Sequence, residues 1–490
     1  MRTGGILLPV ASLPSKYGIG CFSREAYEFI DQLEKAGQKL WQILPLGPTG
    51  FGNSPYQSYS TFAGNPLLID LETLIKEGLL TEAECQNFDF TKSENYIEYD
   101  LIVESRAILL KQAFQRFEKT KEYEVFVEEN AYWLEDYALF QAEKEEKKDS
   151  TWVQWEQPLR DRDPETLKAE KERLAKGMAY QSFVQYEFYR QWEAVKSYAN
   201  QKGILIIGDM PIYVSFDSSD AWANPLLFQF DEEHKPIGVA GCPPDYFAPQ
   251  GQLWGNPLYD WPYHKKTGYA WWIQRMQHSQ KLFDVVRIDH FRGFDAYYSV
   301  PYGDKTAEFG HWEEGPGLEL FTALKEKIGD LDVIAEDLGF LTESVLQLVR
   351  DTGYPGMKVL EFAFDSDPDC LYLPHNVIPN SIMYTGTHDN DTLKGWLGSM
   401  SDATKSYLLS YLDDSGEDQN KVIWKLIRLA ISSVSERAVI PMQDYLCKGS
   451  EARINIPATV GDNWKWRMLE GEFTDSLAEK IRKISKIYGR

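Results

Sequence analysis

Four short apolar segments each carry an acidic residue near their C-terminal end: Asp209 in IIGDMP, Asp289 in VRIDHF, Glu336 in IAEDLG and Asp389 in GTHDND. Arg287, His290 and His388 accompany them. One acid at a strand end is an ordinary N-cap for the following helix. Four acids with a cation and two histidines are a candidate site, provided that the fold brings them together. Clustered carboxylates repel one another and drive their pKa values apart, so one site can hold an acid and a base at once. Strand periodicity puts Arg287 and Asp289 on one face, where the guanidinium is expected to keep Asp289 ionised, as a nucleophile requires. Glu336 has no cation in its own segment, so its pKa is expected to rise, which suits a proton donor. One ionised and one protonated carboxyl group are the equipment for cleaving a glycosidic bond through a covalent intermediate. Other chemistries fit less well. His388-Asp389-Asn390-Asp391 offers metal-binding residue types, but the early H-x-H pair of a metal-hydrolase set is missing, and so are GxSxG, P-loop and HExxH motifs. No metal and no organic cofactor is implied.

Positioning such residues is the work of eight apolar runs: 4–9, 39–46, 204–212, 283–291, 332–339, 356–362, 381–389 and 437–444. Each is too short for a helix and too uniformly apolar for a half-exposed strand, the pattern of parallel strands covered on both faces. Helical stripes lie between several of them. Ala26, Phe29, Ile30 and Leu33 follow i, i+3, i+4, i+7 spacing between Ser23 as N-cap and Gly37 as terminator. Val184, Phe188, Trp192 and Val195 form a second stripe, Val345, Leu348, Val349 and Thr352 a third, and Ile423, Ile427 and Ala430 a fourth. The expectation is an α/β fold, a (β/α)8 barrel, whose strand ends converge on one mouth. A doubly wound open sheet is the alternative, but no GxGxxG follows the first run. The whole chain, 1–490, reads as one catalytic barrel. A largely helical insertion is expected at about 50–200 and an aromatic-rich loop region at about 213–280, after the second and third strands. No separate C-terminal β-domain is expected. The charged stretch 141–176 matches no motif.

Hydrophobic residues make up 43% and charged residues 26% of the 490, which excludes wholesale disorder. The net charge of −24 argues against nucleic-acid and anionic-membrane partners and favours a neutral or cationic substrate. No apolar run approaches a membrane span, and the N-terminal stretch 1–15 reads as a first strand rather than a leader. Five dispersed cysteines, with no CxxC, read as buried thiols in a reducing cytoplasm. Aromatic residues reach 14%, and those beside Gly, Asn and Pro at 51–62 and 242–261 offer flat faces on which sugar rings stack.

The segments GDMPIYV (208–214), FDVVRIDHFRG (283–293), VIAEDLG (333–339) and YTGTHDNDT (384–392) resemble the four signature regions of the α-amylase clan. With SPYQSYSTFAGNPLLIDL (54–71) and CPPDYFAPQGQLWGNPLYDW (242–261), the chain resembles the 4-α-glucanotransferase family, glycoside hydrolase family 77, from end to end. That resemblance implies Asp289 as nucleophile, Glu336 as acid/base and Asp389 as the carboxylate that stabilises the transition state. It implies that Asp209 and Arg287 hold the −1 sugar, that His290 and His388 bond its hydroxyls, that Tyr56 stacks on the transferred glucose and that Trp254 shapes the acceptor side. Its implied substrates are an α-1,4-glucan donor and a glucose or maltooligosaccharide acceptor. The competing readings are an intracellular α-1,4-glucan hydrolase and a non-catalytic glucan-binding protein. Retention of Asp289, Glu336 and Asp389 argues against the second.

Overall fold

The computed structural model describes residues 2–244, 249–339, 341–365 and 367–490. Residues 245–248 of the 242–261 segment, and the Phe51 side chain of the 51–62 stretch, lie outside this description.

A strand forms in each of the eight apolar runs: β1 Thr3–Leu7, β2 Leu40–Gln42, β3 Leu205–Met210, β4 Val285–Ile288, β5 Val333–Ala335, β6 Gly356–Val359, β7 Ser381–Tyr384 and β8 Arg437–Pro441. Neighbours in sequence pair in parallel, and β8 pairs back onto β1 from Thr3↔Arg437 to Leu7↔Pro441, so the sheet closes. The (β/α)8 expectation is met, and the closed sheet rules out the doubly wound alternative.

Alternation along each strand divides two cores. Leu7, Leu40, Ile207, Val285, Ile334, Met357, Val359, Ile382, Tyr384 and Val439 pack together inside the barrel. Ile6, Trp41, Ile206, Val286, Ile288, Val333, Met383 and Ile440 belong to the larger core shared with the helices. Two residues beyond the inward Leu40, Ile207, Val285 and Ile334 come Gln42, Asp209, Arg287 and Glu336, on the same face. The apolar plug of the barrel therefore gives way to a polar layer at its C-terminal end. Gly208 sits on the opposite face, where an added Cβ would lie 2.0 Å from the Phe283 ring. Only glycine lets that ring close over β3.

Helix Arg24–Lys35 buries Ala26, Phe29, Ile30 and Leu33. Ser23 holds its N-cap position without a capping bond, and Gly37 turns the chain at φ +69°. Helix Ala175–Gln201 buries Val184, Phe188, Trp192 and Val195, and the Trp192 indole donates to Leu282 O at 3.0 Å, tying β3's covering helix to the segment entering β4. Helix Glu343–Thr352 buries Val345 and Leu348, and Gln419–Ser432 buries Ile423, Ile427 and Ala430.

Between β2 and β3 the described residues hold helices and no strand. Here the charged stretch finds a position: buried Lys144 donates to Asp217 Oδ2 at 2.5 Å, and the Trp152 indole to Phe216 O at 2.8 Å, bracing the loop that follows β3. A four-stranded antiparallel sheet runs in the order Gln252–Pro257, Gly238–Cys242, Ala296–Pro301, His311–Glu314. Two of its strands follow β4, beyond the 213–280 segment, and Trp254 lies on a strand rather than in a loop. Backbone pairing with 238–242 overrides the turn signals of its Gly and Pro neighbours. After β8 the described residues form helices, including Met442–Tyr445 and Asp475–Ile487. Among the described residues no helix is long and apolar enough to cross a membrane. Cys21 and Cys85 are buried, whereas Cys242, Cys370 and Cys447 are only partly so.

Candidate active site

The polar layer is built by register. Asp209 on β3 is the partner of Arg287 on β4, and Ile288 is the partner of Ala335 on β5, so Asp289 and Glu336 follow as neighbours on adjacent strands. The ladder continues past the strand ends, with Asp289 N donating to Met210 O at 3.0 Å and Glu336 N to Ile288 O at 3.1 Å. Arg287 Nη1 lies 2.7 Å from both oxygens of Asp209 and 3.0 Å from Asp289 Oδ1. The Asp209 side chain is wholly buried, while those of Asp289 and Asp389 are 27% and 41% exposed. Asp209 thus anchors the arginine, and the other two acids face the cleft.

Burial sets the protonation pattern. It pushes Asp289 up to about 6, against the pull of Arg287 and with help from Asp209 and Asp389. Desolvation and two acidic neighbours outweigh the guanidinium, so the carboxyl group rises above its ordinary value, and it stays mostly ionised at neutral pH. Burial pushes Glu336 further, to about 8, with the Asp289 charge adding to the rise and Arg287 opposing it. Backbone N–H groups of His290 and Leu338 donate to its two oxygens at 2.6 and 2.9 Å. Burial also works against the charge of Asp389, but His388 and Asn455 overcome it and hold that acid at about 2. The three carboxyl groups thus rank Glu336, Asp289, Asp389 in proton affinity, an acid beside two carboxylates.

The remaining residues singled out in the sequence join the same network. Tyr56 Oη donates to Asp209 Oδ2 at 2.8 Å and lies 2.9 Å from His388 Nε2, with the two rings stacked at 5.3 Å. His388 Nε2 lies 3.2 Å from Asp389 Oδ2. His290 adopts φ +49°, the left-handed conformation that aims its N–H at Glu336. Its ring meets Trp254 edge-on at 4.7 Å, and among the described residues its buried Nε2 has no hydrogen-bond partner, leaving that nitrogen available to a substrate hydroxyl. Gln57 donates to Trp254 O and Asn256 Oδ1 at 3.3 and 3.1 Å, joining the 51–62 loop to the strand bearing Trp254. All nine residues meet at one mouth. Among the described residues no group of three or more His, Cys, Asp or Glu could hold a metal.

Sequence reasoning missed the segment after β8. Asn455 Nδ2 donates to Asp389 Oδ1 at 2.6 Å, Arg453 Nη2 donates to Asp389 O at 2.7 Å, and Trp464 lies 5.7 Å from the Tyr56 ring. It also missed Tyr213, 6.3 Å from Trp254 and 6.5 Å from His290. The available signal was RINIPATVGDNW (453–464), polar and turn-rich but ending on tryptophan, which is the composition of a loop with a fixed job.

A sequence model of the 4-alpha-glucanotransferase family (Glyco_hydro_77) matches residues 8–472. The chain belongs to this family. The 4-alpha-glucanotransferase of Clostridium butyricum is 48% identical over 487 residues, 98% of this chain and 99% of that one. Amylomaltase from Streptococcus agalactiae, solved in complex with acarbose, is 41% identical and superposes with a TM-score of 0.97 over the whole of both chains. Amylomaltase from Corynebacterium glutamicum is 17% identical, with a TM-score of 0.80 over 99% of this chain and 75% of that one, a likeness of fold.

Proposed function

We propose that the chain transfers a segment of an α-1,4-glucan to the 4-hydroxyl of glucose or another glucan by two displacements at one carbon. Asp289 attacks C1 of the −1 glucose while Glu336 donates its proton to the departing glycosidic oxygen, forming a glycosyl ester and a free chain end. The acceptor hydroxyl then attacks C1, gives its proton to Glu336 and releases Asp289, so the anomeric configuration is retained. Asp389 stabilises the positive charge that develops between these states. Asp209 and Arg287 hold the −1 sugar, His290 and His388 bond its hydroxyls, Tyr56 stacks on it, and Trp254 shapes the acceptor side. The barrel and the regions at about 50–200 and 213–280 act as one catalytic unit. The cytoplasm is the proposed site of action, a reading consistent with buried thiols at Cys21 and Cys85.

One observation carries this reading: Glu336, whose proton burial favours, directly follows β5 and lies beside Asp289, which directly follows β4, faces the cleft and is bonded to Arg287. Transfer rather than hydrolysis is supported by the rings of Tyr56, Tyr213, Trp254 and Trp464 around the mouth, which limit water and give a sugar acceptor flat surfaces. Maltotriose tests it. Transfer yields glucose and longer chains with almost no gain in reducing ends, whereas a proportional rise in reducing ends would mean hydrolysis.

A further inference from the structure

Asp389 does not stand on a strand: it lies five residues beyond the end of β7, at Tyr384, where backbone pairing no longer fixes it. Something else must hold its carboxylate against the cleft. The grip comes from the far end of the chain. Arg453 Nε donates to Asn455 O at 2.7 Å and its Nη2 donates to Asp389 O at 2.7 Å, so one planar fork spans both backbones. Asn455 then completes the hold. Its N–H donates to His388 O at 3.1 Å, and its Nδ2 to Asp389 Oδ1 at 2.6 Å. The other carboxylate oxygen faces His388 Nε2 at 3.2 Å. Beyond Asn455 the segment is closed on itself, with Trp464 N donating to Ile454 O at 2.7 Å and Ile456 N to Asn463 Oδ1 at 3.0 Å. It is anchored to the helical region as well, through Tyr99 Oη donating to Trp464 O at 3.0 Å.

We propose that Arg453 is a positioning residue for the reaction: through Asn455 and the Asp389 main chain it fixes the carboxylate that stabilises the transition state, without touching substrate itself. This rests on the role given to Asp389 above. Three features of the arrangement set it apart from an ordinary surface arginine. Among the described residues no carboxylate lies within 4.0 Å of its guanidinium nitrogens, so its N–H groups go to carbonyl oxygens in charge-assisted bonds. Those carbonyls belong to the acid and to the acid's own hydrogen-bond donor. The fork is also rigid, and lysine, a single point donor on a flexible stem, cannot reproduce both bonds at once. A charge-stabilising group displaced by about 1 Å can cost on the order of 100-fold in rate, so a small loosening here has a large kinetic effect.

The experiment is a double-mutant cycle read by calorimetry with acarbose, whose amine mimics the positive charge of the transition state, alongside maltotriose kinetics. R453A is expected to lower kcat by roughly 10- to 100-fold while KM stays within about two-fold, with R453K intermediate. Acarbose affinity is expected to fall about 10-fold on R453A in the native background and less than about two-fold in the D389N background, because the arginine's effect passes through Asp389. Maltose binding, which involves no cation, stays unchanged. Equal losses of acarbose affinity in the two backgrounds would overturn the proposal, as would R453A kinetics matching the parent enzyme. If R453A does not fold, R453K and N455A carry the same cycle. A D389N enzyme with near-normal kcat would instead sink the role of Asp389, leaving the two failures distinguishable.

Discussion

At the scale of single residues, the nearest countercharge does not decide which carboxyl group keeps its proton. Arg287 sits on Asp289, yet burial lifts that acid to about 6, and lifts Glu336, bonded by two N–H groups, to about 8. The proposed mechanism requires Asp289 ionised and Glu336 protonated. Lowering the pH through about 6 removes the nucleophile, and raising it through about 8 removes the acid, so kcat/KM should be bell-shaped between these limits, which belong to the coupled pair. E336Q should lose turnover and still bind glucan. Because the folded pKa of Glu336 lies above its unfolded value, the folded state holds the extra proton between about pH 4.5 and 8, and wild-type stability falls across that window. E336Q should therefore melt higher than the parent at pH 8, with the difference vanishing near pH 4; a constant difference would place the titration elsewhere. The acids were legible because each interrupts an apolar run. Arg453 and Asn455 were not, since a hydrogen bond reaching back from residue 455 to residue 389 leaves no periodicity to read.

At the scale of elements, uniform apolarity hides which strand residues turn inward, such as the steps from Ile207 to Asp209 and from Val285 to Arg287, but the barrel strands declared themselves through length and apolarity. The strand carrying Trp254 did not. Its QLWGNP sequence is rich in turn formers, and only pairing with 238–242 makes it extended. Nor did the charged stretch 141–176, which matches no motif: Lys144 is buried against Asp217 and its ammonium lies 5.1 Å from the Tyr59 ring centre. K144M should leave Asp217 without its cation beneath the loop that follows β3 and cost about 3 kcal/mol of stability, measured by denaturant midpoint. A loss under about 0.5 kcal/mol would mean that water already supports that acid.

At the scale of the whole molecule, a chain with a net charge of −24 works on a neutral sugar, so its field should not steer its substrate. KM for maltotriose should change by less than about two-fold between 0.05 and 0.5 M NaCl; a steep salt dependence would point to a charged ligand in the cleft. The closed barrel explains why segments as distant as Tyr56, Asp289 and Trp464 can share one mouth, and no single stretch of sequence shows that convergence. On the proposed mechanism, what the convergence must achieve is a covalent bond between Asp289 and a sugar carbon. The most direct test is to trap the enzyme with a 5-fluoro-α-glucosyl fluoride, digest it and map the adduct by mass spectrometry. One glucosyl equivalent on the peptide bearing Asp289 is the predicted result; no adduct, or a label on Glu336 or Asp389 instead, would contradict it.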